Sequence, residues 1–378
     1  MKQFTTLLLF LTLAVTPTTI IGAEDCCSGK PVFSGQFWGE YWHAVAQAPA
    51  TGTYANAGNG TINVFYLKRA QLNAIGKLDD KWTYRTTFEY ETAFGPPVYL
   101  KFAFVRGSFK APVENHLTFG MQPNPLVGRC DEAWGYRALR LTGREMIQTT
   151  VVGDALGLKT LLSSDLGVGW KVKPLPHLTL NLLLSNGGGF RTPESDMYKK
   201  AALAAQVTPI PTWKDLVFEL TYDTESGYHN ALDNSNIESR SAMGVFAGVQ
   251  LPKFGLGLDY YQKSFPDKVV NIGVRQYDIT ASVISVFGNY YVMPKLKAIA
   301  RYDAYTPVTD EKYLNGQFGG KSGESILIAG LDCLYGPPNA HFVVTYQTTS
   351  YEAQKLVGAN WIDRDPFSML AVDWIFAF

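Results

Sequence analysis

The sequence predicts an all-β, membrane-spanning, antiparallel up-and-down β-barrel of about sixteen strands. Three observations predict it. Apolar residues recur at every second position in segment after segment, which is the side-chain period of a strand. The connections between those segments alternate between short turns and long polar loops, as in barrels that cross a membrane with loops on one side. Beyond the first two dozen residues no apolar run is long enough for a transmembrane helix. The composition nonetheless carries 35 glycines, 21 tyrosines and 22 phenylalanines with only 17% charged residues.

The N-terminus joins Lys2 to an apolar core, Leu7 to Val15, and then Ile21-Gly22-Ala23. That pattern reads as a secretory signal over residues 1–23, cut after Ala23. It leaves about 355 residues, 24–378, for the barrel. Formal net charge is zero, so composition implies no nucleic-acid partner. Four cysteines, Cys26, Cys27, Cys130 and Cys333, allow three disulfide connectivities in an oxidising compartment. None has metal spacing, and His43, His116, His177, His229 and His341 are scattered. No metal, cofactor or catalytic group is expected, and the chain is not read as an enzyme.

The strands follow in order. The first is Val32 to His43, and the second, about Ile62 to Gly76, ends in the turn Leu78-Asp79-Asp80-Lys81. In the third, Lys81 to Thr92, Trp82, Tyr84, Thr86, Phe88 and Tyr90 share one face. Thr83, Arg85, Thr87, Glu89 and Glu91 share the other. Eight steps of about 3.3 Å carry Trp82 to Tyr90 through about 26 Å, near the height of a lipid band once tilted. Turning Arg85 to lipid would cost about 2–4 kcal/mol, so the aromatic face points outward. Val98 to Phe109 is expected to turn Leu100, Phe102 and Phe104 outward and Lys101 inward. Leu117 to Gln122 precedes the longest irregular stretch, 123–165.

The rhythm resumes at Leu166 to Lys173, at Leu178 to Leu184, and at Met197 to Thr208. Lys214 to Asp223, Arg240 to Leu251 and Phe254 to Gln262 follow, then Gly273 to Tyr291, Lys295 to Tyr305, Glu324 to Leu334 and His341 to Thr348. The series closes with Ser368 to Phe378, where Leu370, Val372, Trp374, Phe376 and Phe378 occupy alternate positions. This strand resembles the terminal strand of bacterial outer-membrane barrels, which characteristically ends in phenylalanine. An even strand number returns both ends to one side, so the last strand is expected to pair with the first.

Three stretches carry a narrower resemblance. They are Phe65-Tyr66-Leu67-Lys68-Arg69-Ala70-Gln71-Leu72 with Gly76-Lys77-Leu78, then Phe119-Gly120-Met121-Gln122-Pro123-Asn124-Pro125, and Leu184-Ser185-Asn186-Gly187. They resemble the phosphate-selective porin O and P family of Gram-negative outer membranes. The resemblance implies a water-filled channel in the outer-membrane lipid, a homotrimer, and passage of small hydrophilic solutes or anions. It also implies that loop 123–165 folds inward to constrict the pore, bringing Arg129, Asp131, Glu132, Arg137, Arg140, Arg144 and Lys159 to the passage. On the strands, Arg69, Arg85, Glu89, Lys101 and Arg301 are the expected pore-lining residues. That family lines its pore with a cationic ladder, whereas these charges are mixed. General diffusion is therefore expected, with a mild anion preference at Arg137, Arg140 and Arg144. A barrel that serves as a scaffold around a partner is the alternative reading.

Overall fold

The fold is seen in a computed structural model of the chain. It describes residues 30–44, 63–91, 98–137, 139–140, 143–147, 163–190, 198–210, 215–229, 237–270, 275–308, 320–335, 340–357 and 360–378. Residues 1–23, where a secretory signal is expected, lie outside the described residues, as do Cys26, Cys27 and Lys159.

Alternation becomes strands, and the strands close. The first five are β1 (Val32–Ala44), β2 (Asn63–Lys77), β3 (Trp82–Glu91), β4 (Tyr99–Phe109) and β5 (Glu114–Pro123). Two short helices follow, α1 (Gly128–Trp134) and α2 (Gly143–Met146). The wall continues with β6 (Ser164–Leu175), β7 (Leu178–Ser185), β8 (Lys200–Val207), β9 (Leu216–His229) and β10 (Ile237–Gln250). It runs on through β11 (Phe254–Val270), β12 (Arg275–Met293), β13 (Leu296–Val308), β14 (Glu324–Leu334) and β15 (Ala340–Tyr351). A small hairpin, β16 (Lys355–Val357) and β17 (Asn360–Ile362), stands outside the wall, and β18 (Phe367–Ala377) completes it. Among the described residues sixteen strands form one closed barrel in which sequence neighbours pair antiparallel and β1 pairs with β18.

Closure is a matter of register. Gln36 lies opposite Ala377 and Ala44 opposite Met369, and Gly35 and Phe378 exchange backbone hydrogen bonds of 2.9 and 3.0 Å. Every backbone donor in a membrane must find a partner within the protein, so these bonds remove the last free edge. Stacking of Phe37 on Phe378, at 5.7 Å, fixes the seam in the aromatic belt.

The two faces sort as the sequence predicts. Leu220, Val245, Leu258 and Ile284 are each about half exposed on the outside of β9 to β12. Their immediate neighbours Thr221, Asp259 and Ser285 are buried inside. The turn after β2 also forms as expected, with Asp79 Oδ1 accepting from the amides of Lys81 and Trp82, both at 2.7 Å.

Two expectations need correction. Phe102 and Phe104 point into the barrel, not out. Phe88 pairs with Leu100 but Thr87 pairs with Phe102, so a β-bulge at Lys101 shifts the phase by one residue. From there on the alternation is inverted, and Arg106 faces the lumen instead of lipid. Strands β9 and β11 also run past their predicted ends at Asp223 and Gln262, to His229 and Val270. Above the lipid band both faces meet water, so pairing continues where hydropathy no longer alternates.

Candidate functional site: the inward loop and the facing wall

The described part of the segment between β5 and β6 enters the barrel because its own sequence is amphipathic. Asn124 N donates to Ser163 O at 3.0 Å, which draws the base of the loop together. Helix α1 then buries Cys130 and Trp134 and ends at Gly135, whose φ of 69° suits a residue without Cβ. Trp134, Tyr136 and Leu139 pack against Phe246 of β10, Phe287 of β12, Ile299 of β13 and Val343 of β15. Leu126 and Ile147 join Tyr261, Ile279, Val283, Ile326 and Ile328. All these strand residues face inward, so one side of the lumen wall is an apolar seat. Burying each large side chain there contributes about 1.5–3 kcal/mol.

Polar anchors fix the position. Arg144 is fully buried and grips Asp259 of β11, with Nε 3.0 and 2.9 Å from the two oxygens and Nη2 at 2.5 Å. Its Nη1 donates to Leu126 O at 2.7 Å and to Thr221 Oγ1 at 3.1 Å, with Glu219 Oε1 3.7 Å away. Burial opposes the guanidinium charge, but Asp259 more than offsets it and holds Arg144 protonated. Tyr136 OH donates to Asp332 Oδ2 of β14 at 2.7 Å, and burial together with that carboxylate pushes its phenol pKa up. Lys68 of β2 donates to Leu139 O at 2.8 Å and to Glu40 at 2.9 Å. The loop leaves the wall between β5 and β6 and its described part packs on β13 and β14, half-way round the closed strand order, so it crosses the lumen.

Tyr136→Phe removes one of these tethers and is expected to loosen the loop by about 1 kcal/mol. Hydrogen exchange should then speed roughly fivefold at amides 128–140, with no change in β14. Unchanged loop exchange would mean that the Tyr136 bond does not hold it.

The predicted site residues divide into three groups. On the loop, Arg137 pairs with Glu145 at 2.7 and 2.5 Å and with Asp131 at 3.1 Å, and Arg129 pairs with Glu132 at 2.6 Å. Arg140 follows in the same stretch, and its carbonyl accepts from Trp134 Nε1 at 3.1 Å. Within the wall, Arg301 pairs with Asp303 at 2.7 Å beneath the Trp134 ring. On the facing wall Arg69 meets Glu91 at 2.5 Å, and Lys101 meets Glu89 at 2.7 Å. Among the described residues Arg85 is the one of these wall residues with only neutral partners, Asn73 at 3.0 Å and Thr87 at 3.1 Å. Of the three arginines expected to favour anions, Arg144 is held by Asp259, Arg137 lies against Glu145 and Asp131, and Arg140 offers its carbonyl to Trp134.

Sequence reading missed Arg106, Lys68 and Tyr136. Arg106 was hidden by the bulge, and the other two act through partners distant in sequence. Cys130 and Cys333 are free, the first buried in the loop and the second exposed on β14, so they do not pair with each other. Burial pushes the Cys130 thiol up, which keeps it protonated and unreactive. A cavity of about 430 Å³ opens below the loop, between Trp134 to Arg137 and the wall at Gln36, Lys297 and His341.

The closed sixteen-stranded antiparallel barrel is a fold that this chain shares with solved outer-membrane porins of Gram-negative bacteria. The chain is similar to an anion-selective porin from Comamonas acidovorans, with a TM-score of 0.63 at 11% identity, over 92% of this chain and 99% of that one. It is also similar to Salmonella typhi OmpF, with a TM-score of 0.62 at 14% identity, over 92% and 98%. The trimer form of OmpT from Vibrio cholerae gives 0.58 at 13%, over 92% and 99%. No protein-family profile matches the sequence, and no curated protein matches it.

Proposed function

We propose that this protein is an outer-membrane channel for passive diffusion of small hydrophilic solutes and ions. The observation that carries the reading is the loop crossing the lumen of a closed barrel, seated on β9 to β15 and facing the charged wall of β2 to β4. A barrel of sixteen strands is wide enough for water, and a charged passage sets ion preference by electrostatics. The residues proposed to line it are Arg69, Arg85, Glu89 and Lys101 on the wall, with Asp131 and Arg137 opposite. Their mixed and mostly paired charges favour general diffusion over phosphate selectivity. A mild anion preference is assigned to the wall, where Arg85 and Arg106 lack carboxylate partners among the described residues. Residence in the outer membrane and a homotrimeric assembly are part of the same proposal, supported by the fold and by the trimer form of the Vibrio cholerae protein.

Recording of refolded protein in planar bilayers tests it. Stepwise conductance in potassium chloride is expected, with a reversal potential displaced modestly toward that of chloride in a salt gradient. Silence across voltages and salts would refute the channel, and a reversal potential on the potassium side would refute the anion preference.

A further inference from the structure

Closure of the barrel brings two carboxylates together. Glu40 of β1 lies directly opposite Asp373 of β18, and both are buried on the inner face, at 0% and 1% exposure. They meet only when the first and last strands pair. Residues directly opposite in an antiparallel ladder have Cβ atoms about 4.5–5.5 Å apart, and like charges there destabilise the pairing. The next residues on that face are Trp38 opposite Ile375 and Trp42 opposite Ala371, and Val343 of β15 lies on the far side of Asp373. None of these carries a charge.

Lys68 stands between the two carboxylates. Its Nζ is 2.9 Å from Glu40 Oε1 and 3.6 Å from Asp373 Oδ1, one acid from each terminal strand. A bulge puts it there. Trp38 pairs with Arg69 and Gly39 with Leu67, so Lys68 is the extra residue of β2. In regular alternation the residue beside inward-facing Arg69 would turn to lipid. The bulge lets both face the lumen, where Arg69 meets Glu91 at 2.5 Å and Lys68 meets the seam.

The same Nζ donates to Leu139 O of the inward loop at 2.8 Å. An ammonium has three N–H groups. Three oxygens lie around this one, two from the strands that close the barrel and one from the loop. The direction in which Lys68 points is therefore set by a pair of acids that closure assembles.

We infer that Lys68 is a positioning residue that makes docking of the inward loop depend on closure of the seam. With β1 and β18 paired, the ammonium is held against Leu139 and the loop gains a charge-assisted hydrogen bond. With the seam open, Asp373 is removed from the group and this side of the loop loses its tether. By linkage the dependence is reciprocal, and a docked loop favours a closed seam.

Hydrogen exchange of the full chain folded into lipid vesicles tests this, read at loop amides 136–140 and at seam amides 36–44 and 369–377. Lys68→Met keeps the apolar stem and removes the charge. It should speed exchange about tenfold at both sets, in line with the loss of one hydrogen bond to a charged group. Glu40→Gln/Asp373→Asn changes only the wall and keeps the shape of both side chains. It should nonetheless speed the loop amides about tenfold, because Lys68 is no longer oriented. Adding Lys68→Met to that pair should change the loop rates no further, since the two acids act on the loop through Lys68. Where Lys68→Met does not fold, the Glu40→Gln/Asp373→Asn protein carries the test alone. Native loop rates in that protein would make Lys68 a plain tether and overturn the inference. Native seam rates in Lys68→Met, or a further gain at the loop in the triple variant, would overturn it too.

Discussion

Replacing Arg144 with leucine is expected to unseat the inward loop and widen the passage. Arg144 is fully buried and is the main counter-charge to Asp259, which is also fully buried, with Glu219 close by. Removing one partner of a buried ion pair costs about 3–5 kcal/mol, because the other charge is left without water and without a counter-ion. At about 1.4 kcal/mol per tenfold change, the docked population should fall by about two to three and a half orders of magnitude relative to the undocked one. Single-channel conductance should rise, and protease should cut within 123–165 while the barrel stays intact. Arg144→Leu/Asp259→Leu should recover a large part of the loss, since two well-packed apolar side chains can replace a buried pair at little cost. Equal conductance and equal cleavage in native and Arg144→Leu proteins would show that the apolar seat alone holds the loop.

The second large effect concerns which face meets lipid. Leu220 on β9 is 53% exposed on the outside, opposite Val245 of β10. Leu220→Arg should destabilise the folded barrel by about 2–4 kcal/mol, the cost of an arginine at mid-depth on a lipid face. Gln206 of β8 faces inward and pairs with Glu219 across the ladder. Gln206→Arg puts the same charge within reach of that carboxylate and should cost well under half as much. Urea titration of folding into lipid vesicles compares the two. Equal losses, or a larger loss at Gln206, would mean that the barrel does not present β9 to lipid in this way.

Much of this was legible in the sequence because a barrel wall is a one-dimensional pattern. Where lipid lies on one side and water on the other, alternation at period two fixes each strand and its facing. Trp82 to Tyr90 and Leu370 to Phe378 were read correctly for that reason, and the number of strands followed from counting. The pattern failed where its physical premise failed. Above the lipid both faces are wet, and β9 and β11 continue unannounced. At Lys101 a single extra residue inverts the phase, and nothing in the composition of Tyr99–Phe109 marks it. One sign of the loop seat is legible in β12, where Ile279, Ala281, Val283 and Phe287 face inward as well as Ile284 and Val286 outward. An inward face so rich in apolar residues calls for an apolar partner in the lumen, and the loop supplies it.

The charged residues divide in the same way. Sequence named Arg69, Arg85, Glu89, Lys101, Arg137 and Arg144 as charges near a passage, but could not say which are free. Whether an arginine attracts a solute depends on the carboxylate beside it, and those partners come from other strands. Arg144 finds Asp259 115 residues away, and Tyr136 finds Asp332 196 residues away. The sequence by itself determined the barrel, its strand number and its facing, because each depends on local alternation against two solvents. Only the tertiary structure decided where the described part of the third loop lies, which charges it cancels, and that Arg85 and Arg106 have no carboxylate partner among the described residues, because ion pairing across a closed wall joins residues that no local pattern connects.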